Sequence, residues 1–181
     1  LAKDALYWAV RTGDVRLAQL LLKAGANVKG AGSDGKPIRA AARLHGGGEM
    51  IKMLVRHGAD LHTKSDEDGA TLLHMVYNED SALFLIDCGL DVHATDRFGT
   101  TPLHHCESRG FVRACRLLLD KGADPRAKTR RGFTPRQMSE FRGRGPVYEL
   151  LTEKLRQTSA AKKRIAPTTT MDGCRTKRCT E

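Results

Sequence analysis

The chain has 181 residues, 40% of them hydrophobic and 29% charged, with 31 Lys and Arg against 21 Asp and Glu for a formal net charge of +10. That length suits one domain or one short repeat array, and the apolar share is enough for a buried core. No apolar run approaches the roughly 18 residues of a membrane-spanning helix, and Leu1–Val10 lacks the apolar region of a secretory signal.

The opening Leu1, in place of Met, is read as a fragment or processed chain with upstream targeting signals out of view. Charge is unevenly placed. Residues 1–120 carry 15 basic and 15 acidic side chains, and the last 61 residues hold 16 basic and 6 acidic. Five cysteines, Cys88, Cys106, Cys115, Cys174 and Cys179, are odd in number and widely spaced. Three of them sit inside apolar runs, which fits a reducing compartment where Cys serves as a small hydrophobe.

In chain order the same grammar recurs. Leu20-Leu21-Leu22-Lys23-Ala24-Gly25-Ala26-Asn27 comes first, followed by Met53-Leu54-Val55-Arg56-His57-Gly58-Ala59-Asp60. Phe84-Leu85-Ile86-Asp87-Cys88-Gly89-Leu90-Asp91 and Leu117-Leu118-Leu119-Asp120-Lys121-Gly122-Ala123-Asp124 complete the set. Their glycines are 33, 31 and 33 residues apart. A second marker runs in phase: Lys36-Pro37-Ile38-Arg39, Thr71-Leu72-Leu73-His74, Thr101-Pro102-Leu103-His104 and Thr134-Pro135-Arg136-Gln137.

The fullest copy shows the physics. Thr101 suits a helix N-cap and Pro102 the first helical position, where a missing N–H costs nothing. Leu103, Cys106 and Phe111 give an apolar face, and Gly110 a reversal. Val112, Cys115, Leu118 and Leu119 define a second helix that Gly122 ends in a left-handed conformation. Twelve residues rich in turn formers then lead to Pro135, as they lead from Gly89 to Pro102, which predicts a hairpin finger. One such unit cannot bury its own apolar faces, so copies must stack.

These motifs resemble the ankyrin repeat family over about residues 1–157. The resemblance implies an all-α ankyrin repeat solenoid of about five stacked helix-turn-helix units with hairpin fingers. The repeats are read as about 1–32, 33–66, 67–97, 98–130 and 131–157. The first has Asp4-Ala5-Leu6-Tyr7-Trp8-Ala9 in place of the Thr-Pro-Leu-His pattern, and the second has an extra residue near Gly46-Gly47-Gly48. The third is short, with Asn78-Glu79-Asp80 where an inner glycine is expected. The fifth ends in a helix with a polar outer face, as a C-terminal cap requires.

No phosphate-binding glycine loop, nucleophile elbow or His-Glu-x-x-His zinc helix occurs, so no enzyme class, cofactor or metal is expected. In the family the side chain at the position of His74 and His104 bonds backbone in adjoining loops. His62 and His93 also fall on equivalent positions at the start of a finger. Cys174 and Cys179 make half a zinc site at best; a readily oxidised, basic-flanked thiol pair is the alternative.

Function is therefore sought on the surface. Family members commonly bind partners on the concave side, so the resemblance points to Trp8, Met75 and His105 on inner helices and to Lys64, Arg97, Phe98, Lys128, Arg130, Arg131 and Phe133 on fingers. Trp8 has an alternative role covering the N-terminal core, as Phe98 and Phe133 have in packing between fingers, and His105 is read as structural or solvated ahead of a ligand. Arg126, Lys128, Arg130, Arg131, Arg136, Arg142 and Arg144 form a dense basic group, read either as a solvated face or as a dock for an acidic partner segment.

Residues 158–181 are polar and aperiodic, and are read as a basic, disordered tail. Within it Lys162, Lys163 and Arg164 precede Arg175, Lys177 and Arg178, a spacing like a two-part nuclear localisation signal. The leading reading is a monomeric, non-catalytic scaffold or adaptor in the cytoplasm or nucleus that binds another protein. Nucleic-acid binding through the basic third is disfavoured by an aromatic content of 5% and the lack of a binding motif. A targeting module of a larger enzyme is the other alternative.

Overall fold

The computed structural model describes residues 5–30, 36–143 and 145–165, the last six as backbone only. Among the described residues ten helices pair in chain order: α1 (Ala5–Arg11) with α2 (Val15–Lys23), α3 (Pro37–Ala42) with α4 (Gly48–Arg56), α5 (Leu72–Met75) with α6 (Glu79–Asp87), α7 (Pro102–Arg109) with α8 (Val112–Asp120), and α9 (Pro135–Phe141) with α10 (Pro146–Ile165). The first member of each pair packs on the first member of the next, and the second on the second, giving an inner and an outer layer. The fold is an all-α solenoid. Among the described residues the β-pairing is one isolated bridge, Lys64 with Thr71, at the base of a finger.

The helix ends follow from their residues. α7 and α9 begin with Pro at the first turn behind Thr101 and Thr134, whose backbone N–H groups donate to His104 Nδ1 at 3.2 Å and Gln137 Oε1 at 2.9 Å. Four of the five outer helices, α2, α4, α6 and α8, stop before a glycine at positive φ, Gly25, Gly58, Gly89 and Gly122, between 81° and 93°, a region closed to most side chains by their Cβ. An Asn or Asp then accepts the N–H two residues on: Asn27 from Lys29, Asp60 from His62, Asp91 from His93, Asp124 from Arg126, each at 2.8–3.0 Å. The chain thereby turns into a finger.

Between the layers lies one apolar core, running from Leu6, Val10 and Leu22 through Ile51, Leu54, Leu73 and Leu85 to Leu103, Leu118 and Leu151. Cys106 and Cys115 are part of it, whereas Cys88 is exposed. Burial pushes the Cys106 thiol up to about 12 and the Cys115 thiol further, so both act as hydrophobes rather than nucleophiles. Cys174 and Cys179 lie outside the described residues.

Repeats are also riveted by polar bonds. His104, fully buried, is held by Thr101 on Nδ1 and donates from Nε2 to the carbonyl of Phe133 in the next finger at 3.1 Å. His74 does the same toward Thr100 at 2.9 Å. Gln137 keeps only the near half of that role, bonding Thr134 alone.

Helix α10 runs to Ile165, eight residues beyond the end expected at Gln157. Ser159-Ala160-Ala161-Lys162-Lys163-Arg164 contains strong helix formers that continue a helix without needing an apolar stripe. Arg126 also reaches Ser159 Oγ at 2.9 Å. Lys162, Lys163 and Arg164 thus fall on helical backbone, while Arg175, Lys177 and Arg178 lie outside the described residues.

Candidate interaction surface

The fingers are stitched to one another by their backbones. Arg97 N–H donates to the carbonyl of Asp68 at 2.8 Å, and Arg130 N–H to that of Phe98 at 2.8 Å. Gly99, at φ 72°, lies where a Cβ would meet Arg130 N at 3.0 Å, so glycine is what lets these two fingers approach.

On this frame Phe98 is 52% exposed, Phe133 39% and Phe141, at the end of α9, 79%. Phe133 and Phe141 meet edge to face with ring centres 5.6 Å apart. Together with Thr100, Met138, Arg130, Arg131 and Arg142 they line a groove of 550 Å³. The structure therefore unites four predicted residues, Phe98, Arg130, Arg131 and Phe133, at one place.

The other predicted residues lie apart from the groove. Lys128 is exposed on the same finger as Arg130, and Lys64 on an earlier one. Arg97 is exposed over the Phe98 ring, 4.7 Å from its centre, and donates to the Glu67 carbonyl. Trp8 stands on α1, 56% exposed, against Tyr7 and beneath the Arg11 guanidinium, so it does not serve as a lid on the core. Near it a concavity of 420 Å³ is lined by Tyr7, Arg11, Arg39, Arg43 and Glu67; its one carboxylate offsets part of its positive charge.

Two expected contact residues are not on the surface as expected. Met75 is buried, because α5 is a single turn whose four residues all face the core. His105 is half-buried, and its Nε2 donates to the Val76 carbonyl at 3.0 Å. Helix α5 stops so early that this carbonyl has no helical partner, and the next repeat supplies one. Burial holds His105 below the usual imidazole range, which keeps it neutral in that role.

Phe141 and Met138 were absent from the sequence-based set. Phe141 stands where the preceding repeat has Ser108 and the second has Arg43, so a bulky aromatic out of step with its repeat equivalents was the usable signal. Beneath the groove, Glu107 is buried, accepts from Ser139 Oγ at 2.8 Å and lies 3.8 Å from Arg142 Nη1. Burial raises its carboxyl, and Ser139 and Arg142 partly offset that. The ion pair holds Arg142 at the groove's edge.

No group of three metal-ligating side chains occurs among the described residues. No described helix is long and apolar enough to cross a membrane.

Stacked helix pairs joined by stitched fingers define a helical repeat solenoid, a class that stabilises itself only through neighbours and presents an extended surface. Comparison with known proteins narrows this. The family description "Ankyrin repeats (3 copies)" matches residues 38–129 and 72–160, and "Ankyrin repeat" matches residues 3–31. The chain belongs to the ankyrin repeat family, whose members are generally protein-interaction modules.

Similar proteins include the Nuclear factor NF-kappa-B p105 subunit of Gallus gallus, 25% identical over 65% of this chain and 16% of that protein. Ankyrin repeat and SOCS box protein 6 of Mus musculus is 33% identical over 56% of this chain and 26% of its own length. Protein phosphatase 1 regulatory subunit 27 of Homo sapiens is 42% identical over 34% and 41% respectively. The chain spans less than half the length of each.

Proposed function

We propose that this chain is a non-catalytic scaffold or adaptor that binds a partner protein through the surface made by its fingers and inner helices. The observation that carries this is the placement of aromatics. Among the described residues, every exposed Phe, Tyr or Trp (Trp8, Tyr77, Phe98, Phe133, Phe141) lies on an inner helix, the turn after it or a finger. Outer-layer Phe84, Phe111 and Tyr148 are half-buried. Exposed aromatic side chains gathered on one face are what partner binding uses; the large apolar side chains that the outer helix α2 exposes, Val15, Leu17 and Leu20, are aliphatic.

The basic C-terminal fingers favour a partner with an acidic segment, engaged by a monomer of this chain. Photo-reactive residues placed at Phe98 and Phe133, and as a control at Arg116 on α8, test the reading. Partner adducts should form from the finger positions; equal yield from the outer helix would reject it.

Cytoplasmic or nuclear residence belongs to the same proposal, on the strength of the clusters Lys162-Lys163-Arg164 and Arg175-Thr176-Lys177-Arg178. A reporter fused to residues 158–181 should concentrate in nuclei, and a diffuse signal would remove the nuclear part.

A further inference from the structure

The groove between the last two fingers and α9 combines an apolar wall with an unneutralised rim. Its wall is Phe98, Phe133, Phe141 and Met138, and no carboxylate lines it. A volume of 550 Å³ holds one large side chain together with part of the backbone that carries it.

Several cations around the groove are already engaged. Arg97 donates to the Glu67 carbonyl, Arg113 faces Asp80 at 3.4 Å, Arg136 lies 4.0 Å from Glu140, and Arg142 is held by Glu107. The guanidinium groups of Arg130 and Arg131, like the Lys128 ammonium on the same finger, make no ion pair among the described residues, and both arginines are exposed at the mouth of the groove. Two uncommitted guanidinium forks beside an aromatic slot match carboxylates flanking an apolar anchor, because such forks bind carboxylates in pairs.

We propose that this groove takes a bulky apolar side chain, aromatic or leucine, carried on an acidic segment of a partner protein, with Arg130 and Arg131 engaging carboxylates on either side of the anchor. This rests on the array being a protein-binding module and adds the class of segment it selects.

A single nucleic-acid strand is the competing occupant, since bases stack on phenylalanine and phosphates pair with arginine. The geometry disfavours it. A strand needs successive stacking platforms on a continuous basic track, and the next finger toward the N-terminus sets Asp66, Glu67 and Asp68 against the single cation Lys64.

Fluorescence anisotropy on the full chain decides the matter with four labelled probes. They are a short peptide with one central Phe between aspartates, the same peptide with Ala at the centre, the Phe peptide with lysines for aspartates, and a short single-stranded DNA. The acidic Phe peptide should bind saturably, with affinity at least about tenfold above each of the others. Phe141→Ala should weaken it by about tenfold with an unchanged melting temperature, because the ring is mostly exposed. Arg130→Glu with Arg131→Glu should weaken it by more than about tenfold and flatten the salt dependence of what binding remains.

Equal binding of the Ala peptide, tighter binding of DNA, or no saturation by the Phe peptide overturns the proposal. If cross-links still form at positions 98 and 133 while the Phe peptide fails, the segment class falls and the interaction module stands.

Discussion

Repeats 3 and 4 are neighbours written in the same grammar, and they solve the same folding problem differently. In repeat 4 the inner helix α7 has eight residues, a Thr-Pro start and a left-handed glycine end. In repeat 3 the inner helix α5 has four, and the chain leaves it in an extended conformation at Val76. The open carbonyl of Val76 is met by His105 of repeat 4. In the other direction, α8 begins at Val112 behind Phe111, which offers no side-chain cap, and Glu79 of repeat 3 accepts from Arg113 N at 2.7 Å and Ala114 N at 3.3 Å. Each repeat completes a helix end that its neighbour leaves unfinished. A defect in a solenoid is therefore tolerated when its repair lies next door.

Substitutions can break this comparison in graded steps. The largest loss should come from His104→Ala, which removes bonds to Thr101 and to the Phe133 carbonyl inside a closed site; about 3 kcal/mol is expected from urea midpoints. A loss under about 1 kcal/mol would mean the neighbouring finger closes the gap unaided.

His105→Ala should cost about 1 kcal/mol by leaving the Val76 carbonyl unmet, and should raise amide exchange in α5 before α7. Uniform exchange would deny the strut its local role. Glu79→Gln keeps a bonding oxygen but loses the charge at the N-terminus of α8, for about 0.5 kcal/mol; an effect that survives high salt undiminished would point away from charge.

The smallest effect is spread over both repeats. Burial holds His74, His104 and His105 below the usual imidazole range. As pH falls from 7.5 toward 6, histidines of the unfolded chain take up protons that the folded ones refuse, so stability should drop. Glu107 acts in the opposite sense at lower pH, since its raised carboxyl takes a proton before its unfolded counterpart does. A urea midpoint that is flat or rises between pH 7.5 and 6 would contradict the histidine part.

What was legible in the sequence is what each repeat does for itself. Gly25, Gly58, Gly89 and Gly122 announce helix ends, Thr-Pro pairs announce starts, and the apolar spacing gives the two layers. Two of the misses share a cause, the shortness of α5. His105 occupies a position that is free in a regular array, and becomes a strut only because α5 is short. Met75 looked exposed for the same reason, since in a one-turn helix no residue is left for an outer face. Phe141 escaped because its repeat equivalents, Ser108 and Arg43, are polar, so the shared pattern carries no expectation of an aromatic there. The extension of α10 escaped because propensity, unlike packing, leaves no periodic mark.

The stitched fingers carry one more consequence. With Arg97 bonded to Asp68, Arg130 bonded to Phe98 and Gly99 permitting the close approach, the fingertips form a ruler with one graduation per repeat. Evolution can rewrite the letter at each mark, from Asp66 to Arg97 to Arg130, while the distance between marks stays put. Under the proposed function a ligand would be measured before it is read, and one whose groups fall between graduations would fit poorly whatever its charge.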